Sequence, residues 1–264
     1  MKRVLLLAVA CLLLCTACRS RVDLTLPEET ADPAPTSAAP TSPPPTLPQL
    51  PGEDMSDAAW EVYCTALEKE GTFTSYELTF ETREIALGQR AVNRARILRR
   101  EAGEDLRLLL EKNWDGKTDS GYFVNGIGYF AIGTEKYWMP TNEKTFFSEF
   151  GFTDSDTFSR EMFADAILID RAEGGAAVSC PLPEPYATAY VEKVLGTTVG
   201  IQVRRVSLDF IVDADGAPVE YLVTMRLWVS GRGEITYESL NRYETVGEEV
   251  EITPPEDLDG YKEK

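Results

Sequence analysis

The chain has 264 residues, a formal net charge of −18 at pH 7 and no histidine. This acidic balance argues against a nucleic-acid partner and against broad adhesion to anionic lipid. The missing histidines exclude a Ser-His-Asp triad, a Cys-His dyad and any zinc site with a histidine ligand. No other catalytic constellation appears in the sequence, so we expect a non-enzymatic protein without a cofactor or a bound metal.

The N-terminus has the pattern of an export signal with a lipid attachment site at its end. Two basic residues precede an apolar run from Val4 to Leu14, which is shorter than the roughly 20 residues that span a bilayer. Ala17 and Cys18 follow, and a small residue before a cysteine resembles the lipobox of bacterial lipoproteins. In that motif the cysteine thiol receives a diacylglyceryl group. We expect residues 1–17 to be a lipoprotein signal peptide and Cys18 to be lipidated.

Two other cysteines fit this attachment site less well. Cys11 follows too little apolar sequence, and Cys15 follows a leucine, which the lipobox tolerates poorly beside the cut. Cys15 also occupies the position, three residues before Cys18, at which the motif usually has leucine. Ordinary signal cleavage and an uncleaved anchor are the alternatives to lipidation.

The next segment, residues 18–52, is predicted to be a lipidated N-terminus followed by a disordered tether. Positions 27–52 are rich in Pro, Thr, Ser and Ala and include Pro43-Pro44-Pro45. This composition favours extended, polyproline II-like structure and acts as a semi-rigid spacer. The spacer would hold residues 53–264, which are enough for one domain, away from the membrane.

Two cysteines remain in this domain, Cys64 and Cys180. In an exported protein they could form a disulfide. Free cysteine also packs as a small apolar residue, so two separate thiols are the other interpretation.

The first predicted element of the domain is a helix that Asp54 or Ser56 caps and that Gly71 ends. Its apolar stripe, at helical spacing, consists of Trp60, Tyr63, Cys64 and Leu67. Alternating apolar residues then predict strands around Leu78, around Leu108, and through the block from Gly121 to Met139. Within that block Asn125-Gly126 is a strong hairpin signal.

The middle of the domain is predicted to be helical. Met162, Phe163 and Ile167 favour a helix from Ser159 to Ala172. Pro185 opens a second helix, where its missing N–H costs nothing. Gly196 ends this second helix.

The pattern in the last third of the chain predicts long antiparallel strands with one face exposed to solvent. Alternation runs from Val206 to Val212 and from Val219 to Val229, and it continues after Ile235. The alternation of apolar and polar residues shifts by one position at Arg204-Arg205, which indicates a bulge that bends the strand. Long, bent, one-sided strands with a few amphipathic helices predict an α+β fold, in which a strongly curved antiparallel sheet, an open half-barrel, wraps over the helices.

The order of elements resembles the LolA/LppX-like fold, an open half-barrel that encloses helices. The nearer likeness is to Gram-positive surface lipoproteins of that fold with no assigned function. Four stretches carry the resemblance: Tyr122 to Pro140, the helical insert after Pro140, the paired strands around Asp213-Ala214-Asp215-Gly216, and the ending from Tyr243 to Pro255. Characterised members of the fold bind acyl chains of lipids or lipoproteins between sheet and helices. The resemblance therefore implies a hydrophobic ligand, without a residue-level site.

Large apolar side chains at strand spacing are the candidates for lining such a cavity. They are Trp114, Tyr122, Tyr129, Trp138 and Met225. The alternative for the aromatic residues is that they form plain core.

A stripe of arginines on one strand is the clearest charged feature. Arg90, Arg94, Arg96 and Arg100 share a strand face, with Arg99 and Arg107 nearby. They could bind anionic head groups at the mouth of a cavity. The favoured interpretation is cross-strand pairing with carboxylates at Glu81, Glu84, Glu101 and Glu111.

Two functions of different kinds remain. The first is a membrane-anchored, extracytoplasmic lipoprotein that holds a lipid or other hydrophobic ligand in the half-barrel. The second is a cell-envelope interaction or assembly module whose shell is filled by its own side chains. In both cases we expect a monomer attached to the membrane through its N-terminal lipid, with no nucleic-acid partner.

Overall fold

The domain is built on one continuous sheet of twelve strands, seen in a computed structural model that describes residues 55–114, 116–152, 158–247 and 250–264. The signal, lipidation and tether predictions lie outside these described residues. The strands are β1 Ser75–Ala86, β2 Gln89–Ala102, β3 Asp105–Trp114, β4 Lys117–Val124, β5 Ile127–Ile132, β6 Glu135–Pro140, β7 Ile167–Asp170, β8 Ala176–Pro181, β9 Ile201–Val212, β10 Pro218–Val229, β11 Gly233–Val246 and β12 Lys262–Glu263. The helices are α1 Met55–Glu70, α2 Glu143–Glu149 and α3 Glu184–Leu195.

Two antiparallel meanders make up this sheet. The strand order is β12-β6-β5-β4-β3-β2-β1-β11-β10-β9-β8-β7. Strands β1 to β6 form the first meander and β7 to β11 the second, and they join where β1 pairs with β11 along its length. The sheet is curved and does not close, so the predicted α+β open half-barrel is confirmed.

The helices lie on the concave face of the sheet, where they share one core with it. Helix α1 buries Ala59, Tyr63, Ala66 and Glu70, which follow one another at intervals of about one turn. The Tyr63 ring meets the Phe210 ring of β9 at a centroid distance of 5.7 Å. The predicted stripe therefore contains the central contact, Tyr63, but its member Cys64 is only half-buried.

Several turns, helix ends and a bulge have the backbone conformation that the sequence predicts. Asn125 and Gly126, between β4 and β5, have φ values of 46° and 87°, which is the backbone that Asn-Gly hairpins adopt. Helix α3 carries Pro185 in its first turn and ends at Gly196, which has a φ of 71°. The bulge predicted at Arg204-Arg205 is present, because Arg226 of β10 pairs with Arg205 whereas Leu227 pairs with Val203.

The predicted helix from Ser159 to Ala172 is wrong. Only Arg160–Phe163 forms a short 3-10 turn, and Ile167–Asp170 is the edge strand β7. A short apolar run rich in isoleucine fits both the helical and the strand period, so the pattern alone could not distinguish a helix from a strand. The neighbouring strand β8, which sequence reasoning missed, supplies the pairing that selects a strand.

None of the helices in the described ranges combines the length and the apolar character needed to cross a bilayer.

Close packing leaves no room for a side chain at Gly121 of β4. A Cβ there would lie 2.4 Å from Cζ of Phe150 and 2.9 Å from Cζ of Phe146. We expect Gly121→Ala to lower the free energy of unfolding by about 1–3 kcal/mol, the usual cost of overpacking. Urea denaturation checks this. Gly260→Ala is the control, because nothing lies within 4 Å of its Cβ position, and an equal loss in both variants would contradict the packing argument.

Candidate ligand site on the concave face

Cross-strand register defines a row of side chains that runs along the middle of the concave face. Phe210 of β9 is opposite Tyr221 of β10, which is opposite Asn241 of β11, which is opposite Phe80 of β1. All four side chains are buried. The row therefore mixes aromatic rings with a polar amide in the interior.

Several polar atoms of this interior have no hydrogen-bond partner among the described residues. They are the Tyr221 hydroxyl, Oδ1 of Asn241, Oγ of Ser239, Nε1 of Trp114 and Oε2 of Glu70. Leaving a buried polar atom unpaired costs about 1–3 kcal/mol, so native proteins nearly always give such an atom a partner or a bound water. The concave face thus presents donors and acceptors that a polar ligand group or water would satisfy.

Glu70, in the last turn of α1, is the charged member of this set. The Tyr243 hydroxyl donates a hydrogen bond to Oε1 of Glu70 at 2.5 Å. Burial raises the pKa of Glu70 to about 7, although the hydrogen bond from Tyr243 acts in the opposite direction. Burial also raises the pKa of the Tyr221 hydroxyl, and the negative charge of Glu70 adds to that shift. Glu70 can therefore hold or release a proton near neutral pH inside the fold.

Apolar side chains flank these polar atoms. Trp114, at the end of β3, is half-buried and stacks on Phe80 at 6.4 Å between ring centroids. Met225 of β10 is buried and lies opposite Val206 and Tyr237. Two of the five predicted ligand-binding residues, Trp114 and Met225, are thus on the concave face.

The other three predicted residues are on the convex face. Tyr122, Tyr129 and Trp138 are register neighbours across β4, β5 and β6. The ring of Tyr261, from the C-terminal segment, lies edge-on to Tyr129 at 5.8 Å. The five residues therefore do not line one cavity, because strand alternation places the two groups on opposite sides of the sheet.

The C-terminal segment covers this part of the convex face. Val250 and Ile252 are buried against Leu98 and Tyr122 in a small second core. Strand β12 then pairs with β6 in parallel. The alternation of Tyr122 and Tyr129 was visible in the sequence, but the segment that buries them is more than a hundred residues away along the chain.

The two cysteines of the domain are free. The Cys180 thiol is buried and donates a hydrogen bond to the Met162 carbonyl at 3.3 Å. Burial raises the pKa of Cys180 to about 12, so this thiol is unreactive. In the described ranges no group of three or more cysteine or acidic side chains is arranged to hold a metal ion.

The arginine stripe of β2 is paired across strands, as favoured from the sequence. Arg94 contacts Glu81 at 2.6 Å, and Arg90 contacts the same carboxylate at 3.7 Å. Burial alone would raise the pKa of Glu81, but hydrogen bonds from Arg94 and Arg83 outweigh it and lower that pKa. Two of the predicted acidic partners differ, because Glu84 pairs with Arg232 of the β10–β11 turn and Glu101 pairs with Arg99 of its own strand.

Neither a protein-family model nor a curated protein sequence matches the chain. Among solved structures, it is similar to the MucA/MucB complex of Pseudomonas aeruginosa, with 14% identity, a TM-score of 0.34, and coverage of 76% of this chain and 59% of that one. It is also similar to the Mycobacterium tuberculosis lipoprotein LppX, with 10% identity, a TM-score of 0.40, and coverage of 75% and 99%. A LolA superfamily protein from Nitrosomonas europaea gives 8% identity, a TM-score of 0.27, and coverage of 74% and 94%.

LppX and the LolA superfamily protein are of the LolA/LppX-like kind that the sequence resemblance named. The chain spans only about three fifths of the MucA/MucB chain. Identities and TM-scores this low bear on neither ligand nor partner, and the fold rests on the strand order and register of this chain itself.

The raised pKa of Glu70 predicts that the free energy of unfolding decreases as the pH rises. The folded chain holds this proton up to about pH 7, whereas the unfolded chain releases it near the ordinary value of 4.5. The folded state thus binds more protons between these values, and the free energy of unfolding falls by roughly 3 kcal/mol as pH rises through them. Urea titrations across this range measure the fall.

Glu70→Gln removes the titrating group, and we expect it to flatten this pH dependence. Glu68→Gln, on the exposed side of the same helix, is the control and should keep it. A slope that is the same in all three proteins would show that Glu70 does not cause it.

Proposed function

We propose that the protein is an extracytoplasmic lipoprotein, anchored through Cys18, that holds a lipid or other hydrophobic ligand on the concave face of its half-barrel. The single observation that carries the proposal is the set of unpaired buried polar atoms beside Trp114 and Met225. A ligand with an apolar chain and a polar end would pack against those two side chains. Its polar end would then supply hydrogen-bond partners to Tyr221, Asn241 or Glu70.

Glu70 limits which polar groups the ligand can carry. A carboxyl group with a pKa of about 7 is partly protonated near neutrality. In its protonated form it donates a hydrogen bond, and it accepts one through its other oxygen. A fatty acid or an ester carbonyl is therefore accommodated, provided that Glu70 carries its proton.

A second candidate is an envelope interaction module with a filled core. It is favoured by four phenylalanines of α2 and the segment after it, all of them at most 3% exposed on the concave side: Phe146, Phe147, Phe150 and Phe152. Phe146 and Phe150 cover Phe130 of β5, and Phe152 extends the filled region to Phe80 of β1. Any ligand would then be confined to the remaining part of the concave face, near Trp114 and β10.

The ligand test uses the chain from residue 19 onward, which contains every described element but neither the signal nor the lipidated cysteine. The protein is purified without detergent and extracted with organic solvent, and the extract is analysed by mass spectrometry. We expect a co-purified lipid, and we expect a brominated fatty acid to quench tryptophan fluorescence. Absence of both would favour the filled-core module.

The position of the ligand is tested with two tryptophan variants, because bromine quenches tryptophan fluorescence only at near-contact range. Trp114→Phe should remove most of the quenching, because Trp114 is on the concave face. Trp138→Phe should retain it, because Trp138 is on the convex face. If the quenching disappears with Trp138 instead, the ligand lies under the C-terminal segment and the concave site is refuted.

The anchor is tested separately in cells. Cys18→Ser should shift the protein from the membrane fraction to a soluble or secreted fraction, measured by fractionation and immunoblotting, because the acceptor thiol is gone. Cys15→Ser is the matched control and should remain membrane-bound. Membrane retention of Cys18→Ser would contradict lipidation at this residue.

A further inference from the structure

A pocket on the convex face, far from the C-terminal segment, contains three arginines that form no ion pair with any described residue. We call it the arginine pocket. It has a volume of 440 Å³ and is lined by Arg204, Arg205, Arg226, Trp228 and Glu234. This volume lies in the range of small-molecule sites, which is about 300–1,000 Å³.

The bulge in β9 explains why two consecutive arginines reach the same pocket. In a regular strand neighbouring side chains point to opposite faces. Here Arg204 is the extra residue between Val203 and Arg205, which pair with Leu227 and Arg226 of β10. Bulges of this kind redirect a side chain. Without the bulge, one of the two arginines would be directed toward the core.

The three arginines differ from the other arginines of the molecule. In the described part of the chain, every other arginine interacts with a partner, whereas Arg204, Arg205 and Arg226 form no ion pair or hydrogen bond. Arg226 and Arg205 are directly opposite in the register, which is unfavourable for like charges. The chain as a whole carries −18, so acidic residues are abundant yet do not neutralise this site.

Trp228 provides an apolar surface beside these charges. It is two residues from Arg226 on the same face of β10 and is 43% exposed. Glu234, opposite Trp228 on β11, is the one acidic member of the pocket. The pocket therefore has a formal charge of +2 and one exposed aromatic side chain.

We propose that the arginine pocket binds a phosphate group, with Trp228 packing against the part of the ligand attached to it. Guanidinium groups bind phosphate oxygens through paired, charge-assisted hydrogen bonds. The phosphate could belong to a soluble phosphate compound or to the head group of an anionic phospholipid. The site is distinct from the concave face, so this proposal does not depend on the ligand proposed there.

Two exposed aliphatic side chains near the pocket favour the phospholipid head group. Leu87, in the β1–β2 turn, is 85% exposed, and Val199, just before β9, is 89% exposed. The register places both at the sheet end that carries the arginine pocket. Leu87 also has a φ of 52°, a conformation that a bulky residue rarely adopts, whereas the similar β4–β5 turn uses Asn125.

The test again uses the chain from residue 19 onward, which lacks the lipidated cysteine. Its probes are inorganic phosphate, vesicles of phosphatidylglycerol with phosphatidylcholine, and vesicles of phosphatidylcholine alone. We expect saturable binding to one of the first two, seen as a change in Trp228 emission that Trp228→Phe abolishes. Sedimentation with the vesicles gives an independent measure of binding.

The decisive variant is the double substitution Arg205→Gln with Arg226→Gln. Each lost charge-assisted contact should weaken binding about tenfold or more, so the double variant should bind about a hundredfold more weakly. Arg242→Gln is the matched control, because Arg242 is also on the convex face but is paired with Glu220 at 2.7 Å. The thermal midpoint of the double variant should be unchanged or higher, since two like charges are removed.

The outcomes separate the two sources of phosphate. Binding to vesicles that Leu87→Asn weakens supports the phospholipid head group, whereas binding to inorganic phosphate alone supports a soluble compound. No saturable binding to either probe would overturn the proposal. An equal loss in Arg242→Gln would also overturn it, because the effect would then be general to surface charge.

Discussion

The structure depends on the pairing of β1 with β11. Every other antiparallel contact in the sheet joins strands that follow one another along the chain, and only the β8–β9 connection among them contains a helix, α3. Only the β1–β11 ladder, from Tyr76↔Val246 to Ala86↔Ile235, joins the two meanders into one curved surface. It also brings Phe80 beside Asn241 and Tyr221, and so it assembles the row on which the concave site is built.

The β1–β11 ladder also brings together two parts of the interior that differ in polarity. One side of the concave face is filled with phenylalanine rings and needs no partner molecule. The other side combines Glu70, Tyr221 and Asn241, whose polar atoms are buried and incompletely bonded. A core made only for stability would place apolar residues here, because each unpaired polar atom opposes folding. Polar groups at this cost are the reason for proposing a binding role for this half of the face.

Charge is distributed unevenly on the convex face. Arginines of β2 and β11 neutralise neighbouring carboxylates, so their contribution is to the sheet itself. The arginines beside the β9 bulge form no ion pair with the described residues, although the chain is strongly acidic. Screening limits long-range repulsion to about 8 Å at physiological ionic strength. A local cluster of unpaired arginines can therefore attract an anion despite the net negative charge of the chain.

Local spacing and turn chemistry were enough to predict five features: α1, α3, the hairpin at Asn125-Gly126, the bulge at Arg204-Arg205 and the one-sided strands. It misjudged the segment from Ser159 to Ala172, where β8 supplies the pairing that makes Ile167–Asp170 a strand. Periodicity identified Trp114, Tyr122, Tyr129, Trp138 and Met225 as apolar but could not assign them to a face. Their assignment to a face depends on long-range packing, because the C-terminal segment buries one face of the sheet and the helices bury the other.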